Sequence, residues 1–293
     1  MTERYRLLVT GGSGYLGRAL SVKAAPNFEV YPTYQANADG VIAGEPVQLD
    51  ITDRPAVLKL VDALNPQAII HTAASNPGQH DEQRMIAINA EGAKYVAEAA
   101  AAAGIKLVHV SSDAIHDGKQ APFADDVPPT PLNAYGRSKA MAEANVLAID
   151  PQAVIARTSL IYGLHEMDRG TEGFVERLER GETLVLFSDV LRQPIWTETL
   201  SEALIKLAMI DFAGFVNVAG RQAITREEFG RKMLAYWGIK AKGRIRSGRA
   251  ADISDKIPRD VRLSVSKGEQ LLQMRFPGVD EVLAMPQPRP EPN

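Results

Sequence analysis

Tyr135 and Lys139 stand four residues apart in Tyr-Gly-Arg-Ser-Lys. On a helix that spacing puts both side chains on one face. A phenol ordinarily holds its proton to about pH 10, and an ammonium beside it favours the phenolate. Each unit of lowering corresponds to about 1.4 kcal/mol, so such a pair is suited to moving a proton near neutral pH. The spacing alone is weak, because most such pairs are surface contacts worth roughly 0.2–0.5 kcal/mol. Ser111 and Ser112 sit at the end of an apolar run, 106–111, that reads as a buried strand. In a doubly wound sheet the carboxyl ends of strands border the ligand crevice, and a hydroxyl there can hydrogen-bond a substrate carbonyl. Serines after a strand more often make turns or caps. Ser112, Tyr135 and Lys139 become a catalytic candidate set through the company they keep.

That company is the segment Thr10-Gly11-Gly12-Ser13-Gly14-Tyr15-Leu16-Gly17, between a first strand and a first helix. Gly11 can make a tight turn, Gly14 lets backbone approach a pyrophosphate, and Gly17 lets the helix lie close to the sheet. The helix start then offers unpaired amide hydrogens and a partial positive charge to phosphates. The candidate cofactor contacts here are Gly11, Ser13, Gly14, Tyr15, Leu16, Gly17 and Arg18. The second strand closes on Thr33, Tyr34 and Gln35, where a carboxylate would hold the ribose hydroxyls of NAD. With no carboxylate to repel a 2'-phosphate and Arg18 near in sequence, NADP(H) is favoured and NAD(H) is the alternative. Arg18 reads equally well as a solvated helix residue.

The elements that must position these groups follow from periodicity. Strand-like runs at 6–10, 28–34, 47–49, 68–72, 106–111 and 154–158 alternate with helical patterns at 14–25, 54–64 and 94–103. This alternation predicts an α/β fold, a doubly wound parallel sheet of Rossmann type with helices on both faces. Beyond about 160 the pattern is less regular, with strands at 184–187 and 215–218 and helices at 199–210 and 226–237. The expected division is a dinucleotide-binding domain over 1–160, a smaller α/β substrate lobe over 161–284 that can return a segment to the sheet, and a flexible tail over 285–293. The tail carries four prolines in nine residues.

The chain has 293 residues, 33 Lys and Arg against 36 Asp and Glu, and no cysteine. A net charge of -3 gives no basic field for a nucleic-acid backbone. The missing cysteines exclude disulfides and thiolate metal sites and fit a reducing compartment. No run approaches the roughly 20 apolar residues of a membrane span, so a cytoplasmic protein is expected. His71, His80, His109, His116 and His165 are scattered without metal-ligand spacing, and strand packing or surface placement accounts for them. Asp125 and Asp126, in a proline-rich loop, read as solvated charges. Alanine-rich helical faces at 97–103 and at Ala140, Ala142 and Ala144 suggest a homodimer. Arg192, before Gln193 and Pro194, reads equally as a phosphate fork or as a surface arginine.

Taken together the chain resembles the extended short-chain dehydrogenases, and within them the dTDP-4-dehydrorhamnose reductase group. The resemblance is carried by the glycine loop, Leu49-Asp50-Ile51-Thr52-Asp53, His71-Thr72-Ala73-Ala74, Ser111-Ser112-Asp113, His116-Asp117-Gly118 and the segment from Pro131 to Lys139. Further on it is carried by Arg157 to Gly163, Arg192-Gln193-Pro194 and Pro258-Arg259-Asp260-Val261. It implies that Asp50 and Ile51 border an adenine, that Ala73 and Ala74 pass beside the cofactor, and that Lys139 bonds the nicotinamide ribose. It also implies that Ser112 and Tyr135 flank the keto group of a nucleotide-linked sugar, with Ser75, Asp113, Asn133 and Arg192 as substrate contacts. Two positions depart from the pattern: Ala114 stands where the reductases carry tyrosine, and His116 where they carry phenylalanine. The same family includes the regulatory beta subunit of methionine adenosyltransferase, so a non-catalytic NADP-binding regulatory subunit is the alternative. Such a subunit has no need for the intact Ser112, Tyr135 and Lys139 set.

Overall fold

The computed structural model describes residues 4–241 and 243–286. The first part of the chain runs β1 (Arg6–Thr10), α1 (Tyr15–Ala24), β2 (Glu29–Tyr34), β3 (Val47–Gln48), α2 (Arg54–Leu64), β4 (Ala68–His71), α3 (Glu82–Ile86), α4 (Ala93–Ala103), β5 (Lys106–Ser112), α5 (Ala134–Ile149) and β6 (Val154–Thr158). It continues through β7 (Ile161–Tyr162), α6 (Arg169–Glu179), β8 (Leu184–Phe187), β9 (Leu191–Arg192), β10 (Ile195–Trp196), α7 (Thr197–Met209) and β11 (Gly214–Val218). The chain closes with β12 (Ile224–Thr225), α8 (Arg226–Tyr236), β13 (Ile245–Gly248), α9 (Ser266–Leu272) and α10 (Val279–Ala284).

Seven strands form one sheet in the order β11-β6-β5-β4-β1-β2-β3, and every pairing in it is parallel. Parallel strands need helical crossovers, which cover both faces and bury the strands on both sides. Strand β1 shows the consequence: Leu7 and Val9 face a core completed by α1, α7 and α9, while the intervening Leu8 faces a second core with α2, α4 and α5. The chain leaves β1 toward β2 on one side and later returns to β4 on the other. The crevice at that reversal, beyond the carboxyl ends of the strands, is where such sheets bind ligands.

Residues after 160 divide between two places. Strand β11 joins the edge of the large sheet, pairing with β6 from Gly214↔Val154 to Val218↔Thr158, and α7 and α9 complete one of its cores. The remaining segments form a lobe over the crevice from short ladders: β10 with β7, β12 with β9 and β13 with β8. Two small apolar clusters hold it, one around Tyr162, Leu164, Phe229 and Met233, the other around Leu178, Leu184, Leu186 and Leu234.

One expectation from the sequence is corrected here. Asp125 is not a solvated loop charge; it is buried and accepts from the Asn217 backbone N–H at 2.6 Å, tying the loop to β11. Asp126 is exposed. The proline-rich tail lies, from residue 287 on, outside the described residues. Among the described residues no helix is long and apolar enough to cross a membrane.

Candidate active site

A cavity of about 1140 Å³ lies along the carboxyl ends of β1, β4, β5 and β6, beneath the lobe. Single small-molecule sites run to roughly 1,000 Å³, so this one has room for a dinucleotide and a second ligand. Its wall brings together Gly11, Ser13, Gly14, Tyr15, Leu16, Gly17, Asp50, Ile51, Ala73 and Ala74 at one end, and Ser112, Asp113, Asn133, Tyr135, Lys139 and Arg192 further along.

The glycine loop fits a dinucleotide by shape. Gly11 has φ +72, a conformation that side chains rarely adopt, and a Cβ there would stand 2.7 Å from Ala73 backbone. A Cβ on Gly17 would stand 2.1 Å from the Gly11 carbonyl oxygen, so only glycine lets α1 start this close to the turn. No side chain caps α1, which leaves its N-terminal dipole for an anion. At the far side of this end, Asp50 accepts from Gln35 Nε2 at 2.8 Å and from Thr52 N and Oγ1 at 2.8 and 2.7 Å. Burial raises the Asp50 pKa, but the hydrogen bonds from Thr52 and Gln35 outweigh it and hold the carboxyl below its ordinary range.

Two sequence candidates are not brought into the cavity wall. Arg18 donates to Ser13 O at 2.8 Å and pairs with the Glu166 carboxylate of the lobe. Beside it the Tyr15 hydroxyl donates to Glu166 O at 2.9 Å, so the start of α1 is fastened to the roof of the cleft. Ser75 is buried, with its N–H donating to Asn89 Oδ1 at 2.6 Å and its hydroxyl 2.9 Å from His80 Nδ1.

The reacting centre is set by how α5 begins. Asn133 caps the helix, accepting from Gly136 N at 2.9 Å. A Cβ on Gly136 would lie 2.2 Å from Ala114 O, so the helix start is pressed onto the turn after β5. This places Tyr135 beside Ser112 in the cavity wall, where the Ser112 hydroxyl interacts with the phenol. Beneath them Glu143 accepts from Ser111 Oγ at 2.6 Å and forms a buried pair with Arg157, Nη2 to Oε2 at 2.8 Å, which pins α5 to β5 and β6. Successive strand residues face opposite ways, which is why Ser111 serves this pin and Ser112 the cavity.

The electrostatics differ from the sequence expectation. Burial pushes the Tyr135 phenol up to about 12; the Ser112 hydrogen bond lowers it and the Asp113 charge raises it. The Lys139 amine, pulled by burial down to about 8 against the opposing charge of Glu143, donates to Val110 O at 2.7 Å. A shared helix face therefore does not draw the phenol toward phenolate here, because the amine is engaged by β5 and burial penalises the charged phenolate. A phenol that keeps its proton is suited to giving it up to a developing alkoxide.

The lobe contributes cations. Arg192 Nη1 is 3.6 Å from Asp113 Oδ2, which also accepts from Ser159 Oγ at 2.7 Å. Arg192 Nε and Nη1 are buried without a hydrogen-bond partner. Arg226 lines the same wall, and burial together with the Arg192 charge pushes its pKa down. Sequence reasoning missed Arg226. Its neighbours Thr225 and Glu228 do form the capping box their spacing suggests, but the residue reaches Arg192 only because β12 pairs with β9, Ile224 opposite Arg192. Of the two departures, Ala114 lines the cavity, whereas His116 is fully buried and stacks on Phe123 with ring centroids 4.0 Å apart, as a packing aromatic would.

Comparison with known proteins follows the same lines. The chain is 30% identical over 255 residues to dTDP-4-keto-6-deoxy-D-glucose reductase of Streptomyces niveus, covering 84% of this chain and 82% of that protein. It superposes with TM-score 0.82 and 24% identity on dTDP-4-dehydrorhamnose reductase of Bacillus anthracis in complex with NADP, over 96% of this chain and 98% of that one. It is also 31% identical over 192 residues to the methionine adenosyltransferase 2 subunit beta of Pongo abelii, 63% of this chain and 52% of that protein. With residues 5–284 matched by the model described as the RmlD substrate binding domain, the chain belongs to that family.

Proposed function

We propose that this protein is an NAD(P)H-dependent reductase of a keto group on a nucleotide-linked sugar, of the dTDP-4-dehydrorhamnose reductase kind. The observation that carries the reading is that Ser112, Tyr135 and Lys139 share the wall of one cavity whose far end is the glycine loop. When bound there, a nicotinamide cofactor supplies the hydride. Ser112 and Tyr135 bracket the carbonyl oxygen, Ser112 polarising it by a hydrogen bond and Tyr135 giving it the proton from its phenol. Lys139, charged at neutral pH, offsets the negative charge left on the phenol, and that help is stronger in a site shut off from water. Arg192 and Arg226 hold the phosphates of the nucleotide carrier through their planar donor forks.

NADP(H) is the favoured cofactor because β2 ends without a carboxylate, and equal affinity for NADH and NADPH in a titration would reject that preference. Ala114 leaves the reacting centre open where a tyrosine would close it, which supports a sugar bulkier at that side than a deoxysugar. A homodimer is proposed through the exposed parts of α4 and α5, since Ala97, Ala99 and Ala100 are spent inside the chain; light scattering tests it. The second reading, a regulatory NADP-binding subunit, has the Pongo abelii relative in its favour. The deciding experiment is NADPH turnover with a panel of keto-sugar nucleotides. Turnover that disappears in Tyr135→Phe supports the reductase, and a bound nicotinamide without turnover of any panel member supports the regulatory reading.

A further inference from the structure

Behind α5 the sheet carries two histidines that the reaction above leaves unused. His71 ends β4 and lies opposite His109 in β5. They are 1% and 0% exposed, with ring centroids 5.1 Å apart. His71 Nδ1 is 2.5 Å from Thr10 Oγ1, and His109 Nε2 is 3.3 Å from Lys139 Nζ. The other two ring nitrogens, His71 Nε2 and His109 Nδ1, have no hydrogen-bond partner among the described residues.

A lysine ammonium only donates, so the His109 nitrogen facing it must be the one without a hydrogen. His109 therefore carries its proton on Nδ1 and accepts through Nε2. The amine then gives one hydrogen to Val110 O, a second to His109 and, as an ammonium, keeps a third for the cavity it lines. The titratable groups that interact with Lys139 are His109 from β5, His71 behind it in β4, and Glu143 on its own helix. Of these Glu143 alone bears a charge that favours the ammonium, and Arg157 of β6 already shares it. A charged acceptor on β5 is absent, and a protonated imidazole would repel; a neutral one adds stabilisation without repulsion.

We infer that His109 is a positioning residue for the proposed reduction. By accepting at Nε2 it turns the Lys139 ammonium so that a single hydrogen points into the cavity, and it helps keep that ammonium charged at working pH. The kinetic consequence rests on the reductase reading; the tautomer does not.

Two measurements test it. In nitrogen-15 NMR of the labelled wild-type protein, with His109 assigned by its loss in His109→Gln, Nε2 is expected to be bare and Nδ1 protonated throughout the neutral range. A hydrogen on Nε2, or a ring that titrates there, overturns the inference whether or not the protein turns over a sugar. In kinetics, His109→Leu is expected to lower kcat about tenfold and to move its alkaline limb down by about one pH unit, with KM for the keto-sugar changed less than about twofold. His109→Gln, whose amide oxygen can accept, should restore most of both. Leu and Gln variants that behave alike overturn the inference. A wild-type protein inert to every sugar sinks the reductase reading instead, and the tautomer still decides this one.

Discussion

The two ends of the cavity are built by different means. At the cofactor end, Gly11, Gly14 and Gly17 lie within one turn and the first helix after it: Gly17 is required by the Gly11 carbonyl in the same turn, and Gly11 by its own positive φ and the Ala73 backbone after the neighbouring strand β4. At the lobe end, Arg192 and Arg226 come from distant parts of the chain and meet through a ladder of two residues per strand. The first is a local device on a rigid sheet. The second depends on tertiary pairing, which leaves it free to vary with the ligand. Between them, Ser112 and Tyr135 are held by the α5 cap and the Glu143–Arg157 pair.

That division can be broken or sharpened. The largest effect belongs to the junction. Tyr135→Phe should lower kcat for keto-sugar reduction about a thousandfold while leaving cofactor and sugar affinities within about threefold, because a lost proton donor acts on the chemical step. A comparable loss in either affinity would mean the phenol serves binding. Next is Gly17→Ala. The added Cβ meets backbone at 2.1 Å, so α1 must back away from the loop. Dinucleotide affinity is expected to fall about a hundredfold by fluorescence titration; retained affinity would show that the loop does not hold the phosphates.

The third effect is on pH. Lys139 is charged below about 8 and neutral above it, and Tyr135 keeps its proton to about 12. Reduction should therefore be flat near neutrality and fall about tenfold per unit once pH passes Lys139's value. A limb placed above pH 10 would show that the buried amine is not needed in its charged form. The fourth effect isolates the lobe. Arg226→Ala should raise KM for the nucleotide sugar about tenfold, the size of a lost charge-assisted hydrogen bond, with the cofactor constant unchanged. A shift in the cofactor constant instead would move Arg226 to the other end of the cavity.

The same contrast explains what the sequence made legible. Strands β1, β2, β4, β5 and β6 start and end within about a residue of where apolar runs and flanking turns place them, because burial on both faces leaves a continuous apolar signal. The glycine spacing, Ser112, and the Tyr135 and Lys139 pair were legible for a related reason, since each belongs to one short segment, the first two at the ends of strands β1 and β5 and the pair at the start of helix α5. Strands β7, β9, β10 and β12 are two residues long and exist only through their partners, so no periodicity announces them. Arg226 and the burial of Asp125 share that cause: both are decided by contacts with segments far along the chain. The Lys139 amine was misjudged because helix spacing shows which side chains share a face, and not that β5 behind them offers two acceptors.

Arg18 carries the smallest expected effect. Sequence proximity to the glycine loop made it a candidate for the 2'-phosphate, yet its guanidinium is spent on Ser13 O and on Glu166, outside the cavity wall. The Glu166 side chain is 48% exposed, so the pair is screened by water and salt and is worth about 0.5 kcal/mol. Arg18→Ala should consequently weaken NADPH and NADH alike, by about threefold or less, through looser fastening of the roof over the cleft. Added salt should weaken the wild-type protein in the same sense and the variant less. A tenfold loss confined to NADPH would instead assign the guanidinium to the phosphate. The cofactor end would then reach past its own loop, and cofactor choice would depend on a side chain that has to leave Glu166 to make it.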